Sequence, residues 1–254
     1  MKLGVLTALF QDQPLAVALD KLEKLGVQAV ELGTGCYPGN AHCKPAELLG
    51  KPSALKAFKK EIEDRGMMIS ALSCHGNPLS PDKDFAQESD FVYRQTVALA
   101  SELEVGVVNL FSGCPGDSED AKNPNWVTCA WPSEYQKVLD WQWNEKVIPY
   151  WQTAGALAAS AGVKLAFEMH PGFVVYNPET LKRLRDAVGP QIGANFDPSH
   201  LFWQGIDPVA AITDLEGAIY HFHAKDTYID RRNTDINGVL DTKSYGDLAK
   251  RSWS

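Results

Sequence analysis

Short apolar runs alternate along the chain with longer segments in which apolar residues recur at helical spacing. The runs are KLGVLTAL (2 to 9), VQAVELG (27 to 33), MMISALSC (67 to 74), VGVVNLF (105 to 111), GVKLAFEM (162 to 169), QIGANFD (191 to 197) and GAIYHFHA (217 to 224). Helical spacing, opened in several cases by Pro or a capping Ser, Asp or Asn and closed by Gly, covers residues near 14 to 25, 52 to 65, 86 to 104, 134 to 161, 178 to 188 and 208 to 215. Seven strands joined by six helices predict a parallel sheet. Most runs lack the polar-out alternation of a one-sided sheet, so both faces are expected to be covered.

No G-x-G-x-x-G or phosphate-loop motif follows the first run, and polar residues gather at the C-terminal ends of the strands. Both features favour a (β/α)8 TIM barrel over a doubly wound sheet. Such a barrel uses eight strands and about 250 residues. Here the seventh run ends near residue 224, and the thirty residues from 225 to 254 contain no eighth run. The expectation is therefore an α/β chain folded as one domain over residues 1–254, a TIM barrel truncated after strand seven. The loop from 112 to 133, with Gly, Pro, Asp and Trp, is the largest insertion and a candidate lid. The opening MKLGVLTALFQDQPLAVA loosely imitates a secretory signal. Gln11, Asp12, Gln13 and Pro14 follow the apolar run directly, however, as in a first strand leading to a Pro-started helix.

Composition narrows the partners. The 254 residues are 44% hydrophobic and 22% charged, enough to bury one substantial core. Lys and Arg number 24 against 32 Asp and Glu, a net charge of -8 with no basic run, which argues against nucleic acid as a partner. No apolar stretch approaches the roughly 20 residues of a membrane span. Five cysteines without CxxC spacing suit free thiols in a reducing compartment, hence the cytoplasm. Homo-oligomerisation stays open.

Strand alternation selects the candidate chemistry. If the large apolar residues face the helices, Glu168 is the last inward residue of KLAFE, Asp197 of IGANFD and His223 of IYHFHA. Three consecutive strands thus place an ionisable group at the C-terminal mouth, where barrel enzymes keep their sites. Two carboxylates sharing that volume call for a cation, and with an imidazole they suit Mg, Mn, Co or Zn; separate pairing of each residue with a nearby Lys or Arg is the alternative. His221 lies one layer deeper than His223, about 6 to 7 Å along the strand, so the two are not expected to chelate together; His221 reads as a buried supporter of the mouth residues. His200, in DPSH, and His170, in EMHPG, are placed to reach the metal or a substrate oxygen, or are ordinary turn residues. Lys225 and Asp226 are placed to hold substrate or form a loop ion pair. Glu31, inward on the second strand, is a substrate-binding or supporting residue. Trp203, Trp126 and Trp131 are candidates to pack on the apolar face of a sugar. A nucleophilic triad has no support: G-x-S-x-G is absent, and Cys74 and His75 are adjacent in sequence.

FEMHPG, NFDPSH and HFHAKD, in this strand order, resemble the xylose isomerase-like barrels of the sugar phosphate isomerase/epimerase family. That family includes ketose 3-epimerases, inosose dehydratases, hydroxypyruvate isomerases and endonuclease IV. The resemblance implies that Glu168, Asp197 and His223 bind one divalent metal and that His200 contacts substrate or metal. The family's fourth ligand, a Glu closing strand eight, has no counterpart before Ser254, and Val174 stands where ketose 3-epimerases carry a further Glu. The acidic charge and few histidines separate the chain from endonuclease IV.

The expected activity is that of a metal-dependent isomerase or epimerase of a small sugar, sugar phosphate or related polyhydroxy ketone. Proton transfer would run through a metal-stabilised enediolate, with Glu168 and His200 as catalytic groups. Dehydration of an inosose or keto-sugar shares the first step and is the alternative. A non-catalytic metal- or sugar-binding barrel, or a truncated inactive one, is the reading from another class.

Overall fold

The computed structural model describes residues 1–254. Seven parallel strands pair in chain order: β1 (Gly4–Leu6), β2 (Ala29–Gly33), β3 (Met68–Ser73), β4 (Val107–Leu110), β5 (Lys164–Glu168), β6 (Ile192–Phe196) and β7 (Ile219–Phe222). A doubly wound sheet would reverse its strand order partway across. The unbroken order is that of a singly wound barrel wall, and seven strands of a (β/α)8-type barrel lie within these residues. The wall curls far enough for β7 side chains to reach across the interior. His221 contacts Ser70 on β3 and Asn109 on β4, and His223 contacts Glu31 on β2.

All seven expected strands form, each within its apolar run, because the run ends serve as loops at the two rims. The six expected helical segments also form, with two local differences. The third covers Lys83–Leu103 rather than starting near 86, because the Asp82 side chain accepts from the Asp84 and Phe85 N–H groups and caps the helix earlier. The fourth is not one regular helix. Glu134–Trp141 and Ile148–Ser160 flank a π-helical stretch, Gln142–Val147. Pro149 lies two residues beyond that stretch; it has no N–H to give the carbonyl four residues back, and its ring crowds that position. The widened turn carries the buried Trp143 and Gln142, and the Gln142 amide donates to the Pro115, Gly116 and Asn125 carbonyls. The 112 to 133 loop is thereby tied to the barrel near its base.

Leu165, Phe167, Ile192, Ala194 and Phe196 are fully buried beneath the helices, as alternation requires, while Glu168, Asn195 and Asp197 are buried towards the interior. Residues 225 to 254 add no strand to the sheet. They form a short helix, Arg231–Asn237, and return so that Ile229 and Trp253 make one antiparallel bridge. Trp253 stacks on Trp203 with ring centroids 4.5 Å apart and 6° between planes. No helix is long and apolar enough to cross a membrane.

Gly193 marks the tightest approach in the wall: a Cβ there would overlap the Ala218 carbonyl and the Tyr220 ring. Gly193→Ala is expected to destabilise the chain by about 1–3 kcal/mol, the usual cost of overpacking, measured as a lower urea midpoint with unchanged slope.

Candidate metal centre

Glu168 closes β5 at 4% exposure with every oxygen engaged. Oε1 accepts from His200 Nε2 at 3.0 Å; Oε2 accepts from His75 Nε2 and from Asn195 Nδ2, each at 3.1 Å. His223 Nδ1 lies 3.1 Å from the same Oε2. Burial pushes the Glu168 carboxyl up, but the bonds from His200, His223 and His75 outweigh it and hold the group well below the ordinary carboxylate range.

Asp197 follows β6 and is completely buried. Its Oδ1 accepts from the Ser199 N–H at 3.0 Å and the Ser199 hydroxyl at 2.6 Å, the local capping pattern that starts the DPSH turn. Its Oδ2 has no hydrogen bond. Lys225 Nζ lies 2.5 Å from that oxygen without hydrogen-bond alignment, His200 Nε2 3.4 Å away and His223 Nδ1 3.9 Å away. The neighbouring carboxylates outweigh the burial of Lys225 and raise its pKa.

His223 lies just beyond β7 between two carboxylates. Its Nε2 donates to Glu31 Oε2 at 2.7 Å, while its Nδ1 faces Glu168. Burial favours the neutral ring, but Glu168 and Glu31 together raise its pKa to about 10. Glu31, at 2% exposure, also accepts from the Ser73 hydroxyl; burial pushes its carboxyl up, but His223 foremost brings it down to about 2. One layer down, His221 lies 5.5 Å from His223 between ring centroids. Asn195 must turn its amide N–H to the Glu168 carboxylate, so its Oδ1 faces His221 Nδ1 at 3.1 Å and that nitrogen is the donor, with the Asn109 amide 3.2 Å from the same nitrogen turned to present its Oδ1. His221 Nε2 then accepts from the Ser70 hydroxyl at 3.2 Å. The support expected of His221 thus reaches Glu168 through Asn195.

His170 Nδ1 donates to the Pro171 carbonyl at 2.7 Å, which leaves Nε2 as a lone-pair acceptor. Burial, and the His200 ring 4.1 Å away, lower its pKa to about 4. A cavity of about 310 Å³ opens beside it, lined by His170, Ser199, His200, Asp226, Thr227, Tyr245, Trp253 and Ser254.

The structure therefore gathers Glu168, Asp197, His223, His200, His170 and Lys225 at one mouth. Glu31 faces His223 rather than the cavity. Trp203, at 4% exposure, lies behind Trp253, which takes the place on the cavity wall expected of Trp203. Trp131 is exposed, and Trp126 packs edge-on against Tyr176. Sequence reading set His75 aside as half of a failed thiol pair. The alternation applied to the other strands, extended through Ser73, would have turned it inward. The contribution of Tyr245 and Trp253 left no signal, since they follow no strand.

Three overlapping groups bring candidate ligand atoms within 4.8 Å of one another: Glu31 with His221 and His223, Glu168 with His170 and His200, and Glu168 with Asp197 and His223. The last contains the buried oxygen that lacks a hydrogen bond, Asp197 Oδ2, beside a second carboxylate and an imidazole. That donor set fits a divalent cation.

The charged His223 ring, with Nε2 on Glu31 and Nδ1 on Glu168, sets a pH limit. A raised folded-state pKa stabilises the fold fully below the unfolded value near 6.5, and that contribution is lost as pH rises through about 10. The melting temperature of chelator-treated protein is expected to fall between pH 7 and 10. Glu31→Gln, which removes one of the two carboxylates, should move the fall to lower pH. A flat profile in both proteins would contradict the charged His223 ring.

The family model described as xylose isomerase-like TIM barrel matches residues 19–250. The chain is 40% identical over 257 residues to the uncharacterized protein YfiH of Bacillus subtilis (strain 168), covering 100% of this chain and 82% of that protein. It is 25% identical over 201 residues to an inosose dehydratase of Glaesserella parasuis serovar 5 (strain SH0165), covering 76% of this chain and 59% of the dehydratase. Among solved structures, a D-tagatose 3-epimerase-like protein superposes with a TM-score of 0.64 at 19% identity, covering 89% of this chain and 76% of the other. The chain belongs to the xylose isomerase-like TIM barrel family.

Proposed function

We propose that this protein is an enzyme acting on a small polyhydroxy ketone, sugar or sugar phosphate, and that it moves the proton on the carbon next to the carbonyl, as an isomerase or epimerase does. The observation that carries this reading is the convergence of Glu168, His223 and Asp197 Oδ2, an oxygen faced by Lys225 but without a hydrogen bond, at the edge of a cavity lined by His170 and His200. Glu168, Asp197 and His223 are the residues that would hold one divalent cation, Mn, Mg, Co or Zn. When bound, such a cation supplies a Lewis acid for the carbonyl oxygen and so eases loss of the neighbouring proton.

The chain's own groups divide the remaining work. His170 is the proton acceptor in this reading, because its Nδ1 is committed to the Pro171 carbonyl and its Nε2 lone pair is left free on a ring that lines the cavity. His200 fixes one Glu168 oxygen through Nε2 and, lining the same cavity, orients the substrate. Lys225 and Asp226 offer a donor and an acceptor to the hydroxyl groups. The cavity lies at the small end of ligand sites, about 300–1,000 Å³, which suits a monosaccharide-sized compound.

Dehydration of an inosose or keto-sugar is the second reading, supported by the relative named inosose dehydratase. Loss of water across a carbon–carbon bond beside a ketone and 3-epimerisation of a ketose both begin by removing the same kind of proton, and they diverge only in what leaves next.

Exchange of substrate protons with solvent deuterium tests the reading. Wild-type protein supplied with Mn²⁺ is expected to exchange one carbon-bound proton of a ketose or inosose, and chelation should abolish the exchange. His170→Gln should slow it by about 10²–10⁴-fold. Asp197→Asn should lower metal content after purification. Absence of exchange across tetroses to hexoses and inososes would remove the proposed chemistry.

A further inference from the structure

Glu31 has no part in the chemistry described above, yet it is a buried carboxylate on the wall opposite Glu168. Its Oε1 accepts from the Ser73 hydroxyl and its Oε2 lies 2.7 Å from His223 Nε2. An ionised carboxylate only accepts, so the proton in that second contact belongs to Nε2. The other ring nitrogen, Nδ1, points to Glu168 Oε2 at 3.1 Å and Asp197 Oδ2 at 3.9 Å.

Resting on the cation site proposed above, we infer that Glu31 is a positioning residue: by accepting the Nε2 proton of His223 it fixes the ring and its tautomer, so that Nδ1 is the nitrogen presented to a cation between Glu168 and Asp197. Partners of this kind hold a ligating imidazole in one orientation, and their loss costs about 10–100-fold in metal affinity. Placement of the cation on Glu31, His221 and His223 instead is disfavoured by two features. His221 Nε2 is turned to Ser70, and Asp197 Oδ2, the buried carboxylate oxygen without a hydrogen bond, lies outside that group.

The test has two independent readouts on the full chain. Calorimetric titration of metal-stripped protein with Zn²⁺ is expected to show Glu31→Gln binding about 10–100-fold more weakly than wild type, and Asp197→Asn losing most of the affinity. Long-range ¹H–¹⁵N NMR of Zn²⁺-loaded wild type, which needs no variant to fold, should find His223 protonated at Nε2 and metal-bound at Nδ1. Metal bound at Nε2, or Glu31→Gln binding Zn²⁺ as tightly as wild type, overturns the inference while leaving the cation site standing. Loss of binding in Glu31→Gln with none in Asp197→Asn overturns it by placing the cation on Glu31. A wild type that takes up no Zn²⁺ removes the cation site itself, and the positioning role with it.

Discussion

Three carboxylates, Glu31, Glu168 and Asp197, lie almost out of solvent at one level of the barrel, and the rest of the mouth is arranged around the cost of keeping negative charge there. A buried carboxylate left alone takes up a proton; it stays ionised only where donors and cations surround it. His75, His200, His223, Lys225 and the Asn195 amide fill that role, and they come from three parts of the chain, the C-terminal ends of β3, β6 and β7. Asp197 Oδ2 is the one oxygen of the set that receives charge without a hydrogen bond.

That electrostatic constraint also shapes the layer beneath. Asn195 has one amide face committed to Glu168, which sets its other face and therefore the tautomer of His221, which in turn meets Ser70. A polar chain of this kind tolerates little substitution at any one link, because changing a donor to an acceptor reverses the demand on the next residue. The interior of this barrel is accordingly a hydrogen-bonded layer rather than a purely aliphatic one, while the apolar core lies outside the sheet, between Leu165, Phe167, Ile192, Phe196 and the helices.

The wall was legible in the sequence because a parallel strand buried on both faces is a continuous apolar run, and the intervening helices declare their spacing and caps. Glu168, Asp197 and His223 were legible because alternation assigns a face to every strand residue once the apolar partners are known. Alternation says nothing of depth across the barrel, so it left Glu31 undecided between substrate and support; the 2.7 Å contact to His223 depends on the curl of the sheet. Loop and return segments carry no period, which is why Trp203 was expected on the cavity wall and Trp253 was not. The π-helical turn at Gln142–Val147 was hidden for a related reason: its apolar spacing differs from that of an α-helix by too little to register over six residues.

The contact between Glu31 and His223 joins residues 192 positions apart, and that between Ser70 and His221 joins residues 151 apart. Chain entropy makes such distant pairings costly to form before the intervening strands have zipped together. Assembly of the mouth therefore requires the whole wall: β2 carries a carboxylate that meets Ser73 on the neighbouring strand but has no histidine partner until β7 closes on it. Until then Glu31 is free to stay hydrated, and the ordering of the site reports that the wall has curled.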